Sequence, residues 1–418
     1  MNSSVAQVRP RERVLLPTST PASERLVLRR VGIAWGLLVL NALTFYGSAV
    51  HIPHAAGRII TQAALPAALV VALTVNRRVM IRPNVFLSLV SLLVIEAIIT
   101  CLQPEHLGTL YRTFRLGEFV AVLWLLTPWW GRRDLLLVRY HLTALAVILG
   151  SVVLGIMVAP GYAFDGGRLG GAIWAIPATQ LAHYAAIMFG LVVMLWLAGH
   201  IRGRLTLVVV AVTTAILLLT HTRTALLALV AGILVAGLSL ITIKARVRKF
   251  LTSAGIIAAI VIMTLSSLVG TWLTRGQDMT QLHELTGRTK VWGPLLALPR
   301  DKFQEIFGFG LSNSSFNGLP IDSNWLASYQ EQGLIGVLIC AIILLFLLVA
   351  AYFQPYRPAR ALAIFLVTYC LVASFTEVGF TDVSMYLLDL TLAASLIVSS
   401  PTNRDPIGRL PCRTTPIA

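Results

Sequence analysis

The side chains best suited to chemistry in this 418-residue sequence are concentrated in one polar stretch, residues 273–332. Long apolar runs precede and follow it. It holds twelve charged or titratable side chains: Arg275, Asp278, His283, Glu284, Arg288, Lys290, Arg300, Asp301, Lys302, Glu305, Asp322 and Glu331. A simple connection between helices needs no such number, and functional residues are found disproportionately on loops held by a rigid scaffold. We therefore predict that the reaction centre lies in this stretch.

Arginines outside the main basic segments form a second group of candidates. Arg223 lies in THTRTALLAL, Arg168 in FDGGRLGG and Arg288 in TGRTKVW. An arginine near a membrane is costly unless it is paired or binds an anion, and its planar fork matches two phosphate oxygens. The alternative is that each arginine extends to the membrane interface. We interpret the three as ligands of an anionic substrate, together with Lys290 and His221, their neighbours in sequence.

Asp322 is the first candidate for a general base. It lies in LPIDSNWLASYQEQGLIG, directly before an apolar run. A carboxylate in a cleft capped by a membrane suits removal of a proton from a hydroxyl group. Asp-Ser-Asn before an apolar run is also a common helix start, so Asp322 is equally a candidate N-cap, and the two roles are compatible. His283 and His221 are the rival bases.

The sequence contains none of the common metal or nucleotide motifs. It has no HxxxH, no paired Cys and His residues and no Asp-x-Asp motif, and no phosphate-binding loop or dinucleotide fingerprint. We therefore predict a reaction without a metal or cofactor. Two acids, Glu96 and Asp389, lie within predicted apolar segments, where an ionisable residue is a functional candidate whose partner the sequence does not identify.

The elements that position these residues are predicted to be membrane helices. The chain is 57% hydrophobic and 12% charged, with a mean hydropathy of +0.82, whereas soluble domains carry roughly 25% charged residues. Its apolar runs have the length that spans a bilayer. The fold class is therefore all-α and polytopic, with about twelve transmembrane helices predicted at 31–50, 58–76, 84–102, 113–130, 136–159, 178–199, 204–220, 222–243, 250–272, 333–353, 360–376 and 381–399.

The distribution of basic residues predicts the orientation of these helices. If the N-terminus is cytoplasmic, 23 of the 33 Lys and Arg residues fall on the cytoplasmic side, as the positive-inside rule requires. The formal charge of +16 is then mainly a topology signal, and no nucleic-acid partner is predicted. The predicted order is a basic N-terminus (1–30), helices one to nine (31–272), the extracytoplasmic loop (273–332), helices ten to twelve (333–399) and a cytoplasmic tail (400–418).

At these residues the chain resembles the O-antigen ligase and polymerase family of bacterial membrane proteins. The resemblance depends on HTRTALLAL around Arg223, LTGRTKVW around Arg288, the glycine turn FGFGLSN, and DSNWLASYQEQGLIG, and it covers helices six to ten best. It implies a plasma-membrane glycosyltransferase that takes a glycan from undecaprenyl pyrophosphate, with arginines holding the pyrophosphate. It also implies a metal-independent transfer that inverts the anomeric centre.

One departure from the family's pattern bears on the reaction. Where ligases that cap lipid A carry a His-Asn pair, this sequence has Asp322 and Ser323, as in members that act as polysaccharide polymerases. If the role of base carries over, it falls on Asp322. The resemblance therefore favours a polymerase of a surface polysaccharide or exopolysaccharide, which acts on a glycan acceptor. The alternatives are a ligase with a lipid or protein acceptor, and a flippase for the same lipid-linked glycans, for which internal symmetry would be expected.

Overall fold

The computed structural model describes residues 21–43, 53–101, 107–241, 245–264, 289–312 and 314–398. Most of these residues are helical. The helices are α1 (Pro21–Ala42), α2 (His54–Val75), α3 (Val85–Thr100), α4 (Leu107–Leu126), α5 (Leu136–Val158), α6 (Pro160–Ala163), α7 (Ala178–Ala198), α8 (Gly203–Thr220), α9 (Arg223–Ile241), α10 (Ala245–Thr264), α11 (Thr289–Ala297), α12 (Lys302–Phe307), α13 (Asn324–Tyr352), α14 (Arg357–Ala373) and α15 (Met385–Ile397). Two short antiparallel hairpins accompany them: β1 (Phe164–Asp165) with β2 (Arg168–Leu169), and β3 (Ser315–Phe316) with β4 (Leu319–Pro320).

The helices confirm the α-helical class, and their length and composition indicate a membrane-embedded protein. In the described part of the chain, six helices are long and apolar enough to cross a membrane: Ala55–Val75, Leu136–Val158, Ala178–Ala198, Gly203–Thr220, Arg223–Leu240 and Asn324–Tyr352. Helices α3 and α15 are also apolar but shorter. Each of the twelve predicted segments overlaps a helix, although the ends differ. The first helix begins at Pro21, ten residues before its predicted start, because proline suits a first turn and arginine is a good helix former.

Helix α7 is the centre of the bundle, and glycine makes its packing close. Some 83% of its span is buried, against 28–39% for the other five long apolar helices. A Cβ atom at Gly190 of α7 would lie 1.8 Å from the ring of Phe365 in α14, and one at Gly232 of α9 would lie 2.9 Å from it. The Phe365 ring therefore packs between two glycines, as small residues allow in membrane interfaces.

Helix α13 reverses direction at Gly333, which has φ 60° and ψ −158°. Ser328 Oγ lies 3.7 Å from Cys340 Sγ, whereas twelve residues of a straight helix would separate them by about 18 Å. A short arm, residues 324–332, therefore packs along a long arm, residues 334–352. A Cβ atom at Gly333 would lie 2.4 Å from the carbonyl oxygen of Ile306 and 2.6 Å from the amide nitrogen of Gly308, so only glycine permits the reversal. The long arm matches the predicted tenth helix, but the short arm was predicted as loop.

A buried His–Asp–His cluster joins three helices. Nε2 of His141 in α5 lies 3.0 Å from Oδ1 of Asp389 in α15, and Nε2 of His183 in α7 lies 2.7 Å from Oδ2. All three side chains are at most 2% exposed. The ring of Tyr386 lies 4.0 Å from that of His183, between centroids. The fold thus gives Asp389 the partners that the sequence did not identify.

We expect Asp389→Asn to destabilise the protein strongly, because it removes the negative charge that faces both histidines. Removal of one partner from a buried ion pair typically costs about 3–5 kcal/mol. The matched control is Asp134→Asn: Asp134 pairs with Arg132 at 3.0 Å, but its side chain is 37% exposed, and such surface pairs contribute about 0–1 kcal/mol. Thermal unfolding of the two purified variants in detergent measures the difference, and equal midpoints would contradict a stabilising role for the cluster.

Candidate functional site

The polar segments between the helices assemble at one end of the bundle and form a surface that we call the cap. The cap consists of residues 164–177, 220–223, 289–312, 314–332 and 374–384. Residues of the β1–β2 hairpin bond the turn between α8 and α9, and the short arm of α13 bonds the segment after α14. The cap contains the described part of the polar stretch in which the sequence placed the reaction centre.

Arg168 ties the β1–β2 hairpin to the turn that precedes Arg223. Its Nε donates to the carbonyl oxygen of Thr220 at 3.1 Å, and its Nη2 donates to Oγ1 of Thr222 at 3.2 Å. The hairpin brings Arg168 there because Gly166 and Gly167 form its two-residue turn with φ of 55° and 75°. The structure therefore brings Arg168 to the turn that contains His221 and precedes Arg223. Arg168 and Arg223 are 55 positions apart in the sequence.

His221 ends α8 in a left-handed backbone conformation, with φ 49°. For a residue other than glycine or asparagine this conformation costs roughly 1–2 kcal/mol. Within the described residues, five non-glycine residues have positive φ, and three of them, His221, Ser314 and Asn317, lie in the cap. Backbone strain concentrates at functional sites, where the surrounding structure maintains it. The clustering of these strained residues therefore marks the cap as a candidate functional site.

The antiparallel packing of α9 on α14 determines the position of Arg223 along the axis of the bundle. Near one end of this pair, Nη2 of Arg360 donates to the carbonyl oxygen of Ser239 at 3.2 Å, and in the middle Gly232 meets Phe365. Both helices rise by about 1.5 Å per residue, so Arg223, the first residue of α9, lies level with the last turn of α14 and with Ser374.

Ser374 also holds the start of the short arm. Its carbonyl oxygen accepts from the amide of Asn324 at 2.9 Å, and its Oγ accepts from Nε1 of Trp325 at 3.0 Å. Oδ1 of Asn324 in turn accepts from the amides of Gly379 and Phe380 at 3.3 and 2.9 Å. The segment after α14 therefore fastens the chain two residues beyond Asp322. Since Arg223 and the start of the short arm both lie level with Ser374, Asp322 and Arg223 lie at about the same level of the cap.

Asp322 is half-buried and does not cap the helix that follows it. Helix α13 begins at Asn324, and the N-cap position belongs to Ser323, whose side chain makes no capping hydrogen bond. The interpretation of Asp322 as the N-cap is therefore wrong by one residue. The short arm starts where it does because Asn324 is anchored by residues 374–380 rather than by a capping side chain.

Lys290 is exposed on α11, and two other predicted residues, His283 and Arg288, lie outside the described residues. Helix α11 is anchored by a small apolar cluster whose buried members are Val291, Leu295, Ile321 and Ala327. Lys290 precedes one member of this cluster and Asp322 follows another. The described part of the polar stretch therefore folds back so that the two residues adjoin the same small core.

Glu331 is a residue of the site to which the sequence gave no role. Its side chain is 1% exposed, and its Oε1 accepts four hydrogen bonds. These come from the amide and Oγ of Ser312 at 3.1 and 2.8 Å, and from the amide and Oγ of Ser314 at 3.0 and 3.1 Å. Glu331 therefore fixes Ser312 and Ser314, at the end of the glycine-containing segment that the sequence singled out. In the sequence, Glu331 stands directly before an apolar run. A hydropathy pattern marks this position only as the boundary between the loop and the next helix.

Two further arginines stabilise the cap. Nη1 of Arg112 in α4 lies 3.1 Å from Oδ2 of Asp382, in the segment between α14 and α15. The guanidinium of Arg300 lies 4.2 Å from the ring centroid of Tyr329, and its Nη2 donates to Oε1 of Gln330 at 2.7 Å. Partial burial lowers the pKa of Arg300 from its usual value, yet a guanidinium remains protonated. Arg112 and Arg300 therefore hold the cap together through their own partners.

The chain matches no protein-family model and no curated protein in the comparisons made with it. Among the described residues, no group of three or more His, Cys, Asp and Glu side chains is arranged to hold a metal ion.

Proposed function

We propose that the protein is a membrane glycosyltransferase of the O-antigen ligase and polymerase type. It polymerises glycan units from an undecaprenyl-pyrophosphate-linked donor at the outer face of a bacterial plasma membrane. The observation that carries this proposal is the gathering of Arg168, His221 and Arg223 at the level of the cap where Asp322 is held. Cationic donors at the same level of the cap as a carboxylate match the two needs of the reaction, an anionic leaving group and a hydroxyl nucleophile.

In the proposed reaction, the carboxylate of Asp322 takes the proton from a hydroxyl group of the acceptor sugar. The hydroxyl oxygen then forms a bond to the anomeric carbon of the donor from the side opposite the lipid pyrophosphate. The bond between the anomeric carbon and the phosphate oxygen breaks, and the pyrophosphate leaves with the electron pair, so the anomeric centre inverts. Arg223 and Arg288 stabilise the negative charge that develops on the leaving group, and Arg168, Lys290 and His221 complete the anion-binding surface.

The proposed topology has twelve transmembrane helices, both termini in the cytoplasm and the cap on the extracytoplasmic side. The 23-to-10 division of basic residues supports it. In this topology the two shorter apolar helices, α3 and α15, also cross the membrane, and the short arm of α13 packs back along its long arm. Backbone that is not in a continuous helix is tolerated at membrane depth where protein surrounds it.

A ligase that attaches finished glycan to a lipid or protein is the second candidate, and Asp322 in place of a His-Asn pair favours the polymerase over it. A flippase is the third candidate. Its charged groups would be expected to line a central cavity, whereas His141, His183 and Asp389 pack among aromatic rings such as those of Tyr386 and Trp35.

Deletion of the gene tests the proposed function. A polymerase predicts that lipid-linked single repeat units accumulate and that surface polymer disappears, because units are still made and flipped but not joined. Analysis of lipid-linked and surface glycans by mass spectrometry measures both, and complementation with the unaltered gene is the control. Accumulation of finished but unattached polymer would identify a ligase instead, and unchanged glycans would exclude both.

A further inference from the structure

Two buried carboxyl groups lie where the cap meets α3, one on α3 and one at the tip of the α13 hairpin. Nε2 of Gln332 donates to the carbonyl oxygen of Leu93 at 3.1 Å, which fastens the hairpin to α3. Glu96 lies three residues beyond Leu93 and so shares its face of the helix. Its carboxyl group is within electrostatic range of Glu331. Glu96 is 3% exposed and Glu331 is 1% exposed.

The hydrogen bonds of the two groups differ completely. Oε1 of Glu331 accepts from four donors, two amides and two hydroxyls, as a carboxylate does. Within the described residues, neither oxygen of Glu96 accepts or donates a hydrogen bond, and Oε2 of Glu331 is also without a partner. The four hydrogen bonds to Glu331 therefore favour its charged form against the cost of burial, and Glu96 receives no such bonds from the described residues.

Among the described residues, no cation pairs with Glu96 or Glu331 to neutralise a second carboxylate. Asp382, from the segment after α14, is within electrostatic range of Glu331, and its own partner is Arg112 of α4 at 3.1 Å. From the long arm of α13, the Cys340 thiol lies within electrostatic range of Glu96. Two buried carboxyl groups that face each other without a cation do not both ionise readily, because their repulsion adds to the cost of desolvation.

We propose that Glu96 and Glu331 together hold one proton, carried by Glu96, and that this pair of a neutral acid and a carboxylate positions Asp322. The connection to Asp322 is short. Glu331 fixes Ser314, the carbonyl oxygen of Ser314 accepts from the amide of Ile321 at 2.8 Å, and Ile321 precedes Asp322. The part of the inference that concerns Asp322 rests on the proposed function, whereas the proton on Glu96 does not.

A second charge in this position would weaken the cap. If the proton leaves Glu96, the new carboxylate repels Glu331 and favours its movement away from α3. Because the bonds to Ser312 and Ser314 all end on one oxygen of Glu331, they weaken together. The site is therefore ordered while Glu96 holds its proton and loses order when the pH is high enough to remove it. Glu331 and Glu96 act here as positioning residues.

Infrared spectroscopy of the full-length protein in lipid nanodiscs tests the proton directly. We expect the wild-type protein at neutral pH to show the carbonyl stretch of a protonated, buried carboxylic acid, and Glu96→Gln to remove that band. Glu305→Gln is the matched control, because Glu305 is an exposed acid of α12 in the same cap and its substitution should leave the band intact. Identical spectra for the wild type and Glu96→Gln would overturn the proposal.

Polymer formation in cells lacking the native gene gives the second readout. Glutamine reproduces a neutral acid but not a carboxylate, so Glu96→Gln should keep polymer close to the wild-type amount and Glu331→Gln should lose most of it. Failure of Glu96→Gln to accumulate in the membrane, or equal losses in both variants, would overturn the pairing. If even the wild-type protein makes no polymer, the proposed function fails while the infrared result still decides the state of Glu96.

Discussion

Replacement of Asp322 by asparagine should abolish most polymer formation without loss of the protein from the membrane. Asparagine has nearly the same shape as aspartate but cannot take a proton from the acceptor hydroxyl, and general-base assistance is typically worth about 10²–10⁴-fold in rate. The fold should persist because Asp322 is not the N-cap of α13, and Asn324 is held by Ser374, Gly379 and Phe380. Surface polymer per unit of membrane-inserted protein is the measurement.

Asp301→Asn is the control for that experiment. Asp301 lies in the same polar stretch, is exposed, and caps α12 by accepting from the amide of Gln304 at 2.6 Å. Asparagine caps a helix about as well as aspartate, so this variant should form normal polymer. Near-normal polymer in Asp322→Asn would exclude Asp322 as the base, and His221 and His283 would become the residues to replace.

Replacement of Arg223 by alanine should reduce glycan transfer by roughly 10²–10³-fold, the usual effect of removing one donor that stabilises charge developing in a transition state. Arg223 begins α9 at the level of Ser374, so its loss removes positive charge from the centre of the proposed site. Arg223→Lys should restore little activity, because an ammonium group cannot reproduce the bidentate fork. Transfer from a lipid-linked donor by the purified protein measures both effects.

Arg204→Ala is the matched control for Arg223. Arg204 is an exposed arginine in the first turn of α8, the end of that helix remote from the cap. Its loss should leave transfer unchanged. Arg168 differs from both, because its bonds to Thr220 and Thr222 hold the turn before Arg223. If Arg223→Ala keeps normal activity at normal protein levels, Arg223 does not hold the pyrophosphate.

The cap also explains why several glycines occur near the candidate site. The reversal of α13 brings the backbone of Gly333 against that of Ile306 and Gly308. This contact joins the turn held by Glu331 to the tip of the hairpin, so the position of Asp322 depends on backbone packing as well as on hydrogen bonds. Gly308 itself has φ 76°, a conformation that glycine adopts without strain.

The sequence by itself determined the helices and the first candidates. Each apolar run overlaps a helix because hydropathy over about twenty residues is a local property that decides which segments leave water. The residue types alone also selected Arg168 and Arg223, because arginines outside the basic segments are unusual, and His221 as a neighbour of Arg223. Arg168 contacts the turn before Arg223 because Gly166 and Gly167 form the tight turn of the β1–β2 hairpin. The sequence predicts a turn at these two glycines, but it does not show that the hairpin packs against the end of α8.

Only the tertiary structure decided the contacts between distant residues. Asp389 acquires His141 and His183 from helices that begin some 250 and 210 positions earlier, and Glu96 acquires Glu331, which lies 235 positions later in the sequence. The reversal at Gly333 was hidden for the same reason: residues 324–332 were predicted as loop, but they form a helical arm that turns back where Gly333 packs against the backbone of residues 306–308. Local propensity predicts a helix, but the partners that bend it or neutralise its buried charges are set by packing.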